Sequence, residues 1–216
     1  MTVEPPEVAR ANGVGHPIPR IGRYVEVSVS DQYKVDDLSV HRLTEILLGD
    51  DWFVSVLGAV REVFGDSAYI AAGAISDVVW DHRSEMIDHD SVSDVDVVYF
   101  DPSDVSQERD YQYEREFELL LPSEKWEVTN QAGVHNCYHL RFGGRIRPYS
   151  SLENAVSTYP EYSVCVAVRL TIDGRMDVVA PHGLEDLFDM KVQRNPAQVT
   201  DAEFGNRLER KDNYVR

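Results

Sequence analysis

The chain has 216 residues, enough for one well-buried core, and its 43% hydrophobic and 27% charged residues are those of a globular domain. A formal net charge of −17 argues against binding to long nucleic acids, because so negative a surface repels polyanions unless a local basic patch overrides it. No apolar run approaches a membrane span, the N-terminus lacks the apolar core of a signal peptide, and Cys137 and Cys165 are too few for a disulfide framework, so a cytoplasmic protein with reduced, packed thiols is expected.

Residues 1–37 form an N-terminal extension whose first part, rich in proline and glycine with little periodicity, reads as a mobile tail or an arm laid on the surface; the catalytic domain is expected over 38–216. Apolar residues at Leu43, Ile46, Leu47, Phe53, Val54, Leu57, Val60 and Val63 recur at three- and four-residue steps and break at Gly49-Asp50-Asp51, which predicts two helices. The run from Ala68 to Ala72 predicts a strand, Gly73 a turn, and the Ile75, Val78, Val79 stripe a helix in which Trp80 packs. A polar loop from Arg83 to Ser93 leads to a strand from Val95 to Phe100, stopped by Asp101-Pro102. A charged helix follows from Val105 to Leu121, with Glu114, Glu116 and Glu118 on a solvated face, and then a short strand at Trp126 to Val128. Cys165 to Ile172, the Asp173-Gly174 turn and Met176 to Val179 read as a hairpin, after which Pro181 introduces a last helix through Met190. This order predicts an α+β (mixed α/β) domain with one mixed sheet flanked by helices.

Asp94 and Asp96, two apart on a strand, point to one face, which turns apolar at Val98 and Phe100. Aspartate is disfavoured in strands, and two like charges at a core boundary raise each other's pKa unless a cation neutralises them; a divalent metal is the simplest such cation. In a chain with 38 acids, chance alone supplies several acid-x-acid pairs, Asp88 with Asp90 and Glu114 with Glu116 among them, so context has to carry the reading. Upstream, Gly73-Ala74 stands where a strand passes into a helix and backbone N–H groups can approach a phosphate. Downstream, Glu127 between Trp126 and Val128 is an acid in an apolar strand, and Asp177 between Met176 and Val178 rivals it as third carboxylate.

A glycine beside a small residue, a spacer, Asp-x-Asp with apolar neighbours and a later strand acid together resemble the polymerase-beta-like nucleotidyltransferase superfamily. The likeness is closer to a narrower prokaryotic nucleotidyltransferase group, through AAGAISDVVWD, SDVDVVYFD, WEVTNQAGVH, PYSSLENAVSTYPEYSVCVAVRL and APHGLEDLF, which span roughly Tyr69 to Asn195. The resemblance implies the nucleotidyltransferase fold and transfer of a nucleoside monophosphate from a triphosphate such as ATP, with pyrophosphate as leaving group and an acceptor that is a small molecule or a protein. It further implies Mg²⁺ or Mn²⁺ on Asp94, Asp96 and Glu127, with Gly73 and Ala74 against the phosphates. Asn130 and Gln131 fall in the group's Asn-Gln block, where their amides orient nucleotide or acceptor or else cap the following helix. Three departures stand out: Ala74 lacks the hydroxyl usual there, Ser76 replaces a frequent arginine, and Gly133-Val134 replaces Arg-Met. These motivate an alternative, a catalytically weak nucleotide-binding or regulatory module of the same fold.

Arg145, with Arg141 and Arg147 in a glycine-containing loop, forms the best local basic patch for a triphosphate or an acidic acceptor, and Arg207, Arg210 and Lys211 a weaker one. His135, Cys137 and His139 alternate in sequence, but a helix there would separate Cys137 from the histidines, so zinc is not expected. His82 and His89 lie in the loop before the aspartates, where one could assist proton removal or contact substrate, but exposed loop residues are the simpler reading. Four lysines against seventeen arginines in so acidic a chain suggest a salt-adapted or a high-GC source.

Overall fold

The computed structural model describes residues 27–29, 35–84, 94–142, 144–197 and 204. Its elements are β1 (Val27–Val29), α1 (Asp37–Leu48), α2 (Asp51–Phe64), β2 (Ala68–Ala71), α3 (Gly73–Ser84), β3 (Val95–Tyr99), α4 (Gln107–Leu120), β4 (Trp126–Asn130), α5 (Val134–Phe142), α6 (Leu152–Val156), a 3₁₀ turn at Tyr162–Val164, β5 (Ala167–Leu170), β6 (Met176–Val179) and α7 (Glu185–Phe188). Local chemistry sets the helix ends. The Asp36 side chain accepts from Ser39 N–H and that of Asp50 from Phe53 N–H, so the two predicted helices each begin on an aspartate cap.

The six strands form one mixed sheet in the order β1-β6-β5-β2-β3-β4. β1 runs parallel to β6 and β4 parallel to β3, while the pairs between them are antiparallel. Val27–Val29 therefore belongs to the sheet, and the expected division at residue 37 cuts off one of its strands. The alternation Val25-Glu26-Val27-Ser28-Val29 carries the period-2 signal that could have revealed this strand. The final helix is shorter than expected, four residues at Glu185–Phe188.

Alternation divides the sheet into two unequal faces. On one, Ala68, Ile70, Val95, Val97, Tyr99, Val128, Val168, Leu170, Met176 and Val178 meet apolar side chains of α1, α2, α3, α4 and α7 in the main core. Trp126 stacks on Phe117 of α4 with ring centroids 4.4 Å apart, Trp80 Nε1 donates to Leu187 O across to α7, and Phe64 packs on Tyr99 and Tyr113. On the other face, Ala71, Val98, Ala167 and Val179 are covered by Leu152 and Val156 of α6 together with Tyr159. Among the described residues this second cluster is smaller than the first.

β4 is an edge strand, and α4 closes its open side. Glu114 Oε1 accepts from Val128 N–H at 3.1 Å and Asp110 Oδ1 from Asn130 N–H at 3.2 Å. Glu114 is thus half-buried against a strand edge, unlike the solvated acid expected of it, and burial pushes its carboxyl up.

Candidate active site

The register assembles the acids. Asp96 is the direct partner of Glu127 across the parallel β3–β4 pair, and of Ala71 across the antiparallel β2–β3 pair. Val95 pairs with Trp126, so Asp94 lies level with Lys125, and Val95 N–H donates to Lys125 O at 2.8 Å. Paired residues share a face, so Asp94, Asp96, Lys125 and Glu127 form a two-by-two block at the start of two parallel strands, on the face of the second cluster. All three acids are half-buried. Lys125 Nζ lies 3.7 Å from Asp94 Oδ2, with the lysine 74% exposed.

Strand order also separates the rival carboxylates. Asp177 sits on β6, three places along the sheet from β3, and it accepts from Arg169 Nε at 3.0 Å and Nη2 at 2.7 Å. The Arg169 guanidinium in turn lies over the Tyr69 ring, 4.5 Å from its centroid. Glu127 therefore stands with the Asp pair and Asp177 does not.

Beside Asp96, β2 ends at Ala71 and α3 begins at Gly73. The left-handed backbone at this junction belongs to Ala72, at φ 54°, and not to the glycine on which a turn was expected. A Cβ added at Gly73 would meet nothing within 4 Å, so the fold itself leaves open space over this residue. Ala74, expected beside the phosphates, is fully buried in the main core and presents no surface to a ligand in this structure. Ser76 is buried and donates to Gly73 O at 2.9 Å.

Asn130 is committed elsewhere. Its Oδ1 accepts from the N–H groups of Asp101 and Ala132, and its Nδ2 donates to the carbonyls of Asp101 and Asp104 at 2.7 and 2.8 Å. With its amide bonded to four backbone groups, Asn130 clamps the loop between β3 and α4, an arrangement that leaves no amide donor or acceptor over for a nucleotide or for capping α5, which starts at Val134. Gln131 extends the strand pairing through its N–H to Tyr99 O at 2.8 Å, with its side chain buried. Arg145 and Arg147 are exposed in the loop before α6, while the side chain of Arg141, as well as His89, Arg207, Arg210 and Lys211, lie outside the described residues. His135, Cys137 and His139 all fall on α5, which keeps the cysteine off the histidines' side. Cys165 is a buried free thiol against Glu161 O and Tyr159 O, and burial pushes it up to about 12.

Two residues at the site carry no local signal in the sequence. Nothing but the strand register links Lys125 to Asp94. Tyr159 belongs to the cluster over Ala71 and Val98; burial, and next the negative charge of Asp96, push its hydroxyl well above the usual range.

The donor set suits a hard dication. Three carboxylates offer only oxygen, and Mg²⁺ is typically bound by one or two carboxylates with water and substrate phosphates completing its shell. Among the described residues no group of three or more His, Cys, Asp and Glu stands ready-made for a metal, so what the fold supplies is backbone placement: Asp94 and Asp96 at i and i+2, with Glu127 alongside.

A mixed sheet carrying an Asp-x-Asp strand between a strand–glycine–helix junction and a third strand acid is the framework of a nucleotidyl-transfer protein. The family model described as Nucleotidyltransferase matches residues 60–215, and the chain belongs to that family. A solved structure described as revealing a CCA-adding enzyme head domain is similar over 79% of this chain and 86% of its own, with a TM-score of 0.63 at 24% identity, which shows a shared fold. No curated protein matches the chain. No helix among the described residues is long and apolar enough to cross a membrane.

Proposed function

We propose that the chain transfers a nucleoside monophosphate from a nucleoside triphosphate, ATP among the candidates, to a small-molecule or protein acceptor, releasing pyrophosphate and using Mg²⁺ or Mn²⁺. The observation that carries this reading is the pairing of Asp96 with Glu127 beside the open space at Gly73. Asp94, Asp96 and Glu127 are the residues that would hold the metal. A divalent ion bound there supplies charge neutralisation for the triphosphate and activates the attacking oxygen. Gly73 lets the phosphates reach its own N–H at the start of α3, where the helix dipole favours negative charge. Glu127, level with Asp96, accepts the proton of the attacking hydroxyl.

Asp96→Asn keeps the size of the side chain and removes its charge. Its pyrophosphate release, assayed with each of the four triphosphates and an extract containing acceptors, is expected to fall at least about a hundredfold, with Mn²⁺ binding by electron paramagnetic resonance weakened in parallel. Wild-type turnover in this variant would overturn the reading. The alternative, a nucleotide-binding or regulatory module, draws support from Ala74, which is fully buried and offers a ligand no surface. Tight triphosphate binding by the wild type, with no labelled product after many hours, would favour the module.

A further inference from the structure

We propose that Lys125 is a polyphosphate-binding residue, which leaves Asp94 for the phosphates of the triphosphate when the nucleotide enters. The inference rests on the reading of the acids as a metal-nucleotide site. Lys125 occupies the fourth corner of the block formed with Asp94, Asp96 and Glu127, on the side of Asp94 away from β2 and Gly73. Its backbone is fixed by the bond from Val95 N–H to Lys125 O, while its side chain is 74% exposed and its Nζ reaches to 3.7 Å from Asp94 Oδ2. A pair this long and this exposed contributes little to folding, so the ammonium can exchange partners at small cost.

The chemistry of the site requires such a cation. A chain of net charge −17 places three acids where a polyanion must sit, and one or two dications divide their charge between carboxylates and phosphates. A lysine ammonium is a compact point charge with three donors on a flexible stem, suited to following phosphate oxygens. The N–H of Gly73 on the β2 side and the ammonium of Lys125 on the other would grip the anion from both sides.

The proposal predicts effects of opposite sign. In Lys125→Gln, Mn²⁺ alone should bind as tightly as in the wild type or tighter, because Asp94 loses a competing cation. Affinity for Mg·ATP and for Mg²⁺ with inorganic pyrophosphate should fall about tenfold, the loss of one charged hydrogen bond. Lys125→Arg should recover most of that loss, and the melting temperature of both variants should match the wild type. Titrations by calorimetry and by electron paramagnetic resonance measure all of these. If Lys125→Gln binds Mg·ATP and pyrophosphate as the wild type does, or loses Mn²⁺ and polyphosphate affinity together, the role of Lys125 is overturned while the site reading survives. If the wild type binds no triphosphate and no pyrophosphate in the presence of Mg²⁺, the site reading fails and the proposal falls with it.

Discussion

Asn130 donates to two loop carbonyls and accepts from two backbone amides while only 2% exposed, so its replacement leaves several buried groups without partners at once. Asn130→Ala should cost about 2–4 kcal/mol, from several hydrogen bonds near 1 kcal/mol each plus the groups left unsatisfied, measured by urea unfolding. Any loss of nucleotide affinity should disappear at a temperature where the variant is fully folded; affinity still lost there would restore a ligand role. In the sequence, an Asn-Gln pair after a strand cannot declare which way its amide turns, since the partners at Asp101 and Asp104 lie 26 or more residues away. The Ala72–Gly73 junction was legible as a turn but off by one residue. An alanine at φ 54° carries about 1 kcal/mol or more of strain, and a glycine there would give back part of that gain through unfolded-state entropy. Ala72→Gly is therefore expected to change stability by between zero and about +1 kcal/mol, and a clear destabilisation in thermal melts would show that the methyl, packed against the second-face cluster, outweighs the backbone term.

At the scale of elements, strand periods, helix stripes and glycine or proline breaks told where most segments begin and end, because those signals are local. They could not tell which strands are neighbours. Glu127 and Asp177 have the same flanking pattern, and only the order β6-β5-β2-β3-β4 puts one against Asp96 and the other three places away. The closing of the β4 edge by α4 was equally hidden, since Asp110 and Glu114 look like any surface acids until helix and strand are docked. This docking has a pH signature. Burial raises Asp110 above its ordinary 3.8 and Glu114 above 4.5, against the hydrogen bonds from Tyr99 and Asn130 and from Val128 that lower them. Between the ordinary and the raised value the folded state holds more protons than the unfolded state, so these two groups make stability fall as pH rises through that window. Asp110→Asn retains an oxygen acceptor for Tyr99 OH and Asn130 N–H and cannot ionise. Its urea midpoint should decline less than that of the wild type from pH 4 upward and should equal or exceed it at pH 7; a variant less stable at pH 7 would mean that the ionised carboxylate strengthens the edge.

Over the whole molecule, the −17 charge is handled in two ways that respond differently to salt. Many acids are held by neighbours: Asp36 by Ser39, Asp101 by Ser103, Asp104 by Ser106, Asp173 by Thr171 and Asp189 by Lys191, each with its carboxyl held below the ordinary value by those hydrogen bonds. Their contribution is present above pH 3.8 and is lost as pH falls through their lowered values, and most of it is short-range hydrogen bonding that salt screens weakly. The remaining excess of negative charge acts over longer distances. Its reach shrinks from about 10 Å at 0.1 M salt to about 3 Å at 1 M, which removes repulsion between elements but leaves the local caps in place. The melting temperature at pH 7 should therefore rise as KCl is raised over that range. It should rise less at pH 4, where much of the excess charge is already protonated, and this difference separates screening of carboxylates from a general salting-out of apolar surface, which would raise both equally. A melting temperature that falls with KCl would mean that the exposed pairs, such as Arg115 with Glu108 and Arg175 with Asp173, outweigh the net repulsion, and the salt-adapted reading of this acidic, lysine-poor sequence would be wrong.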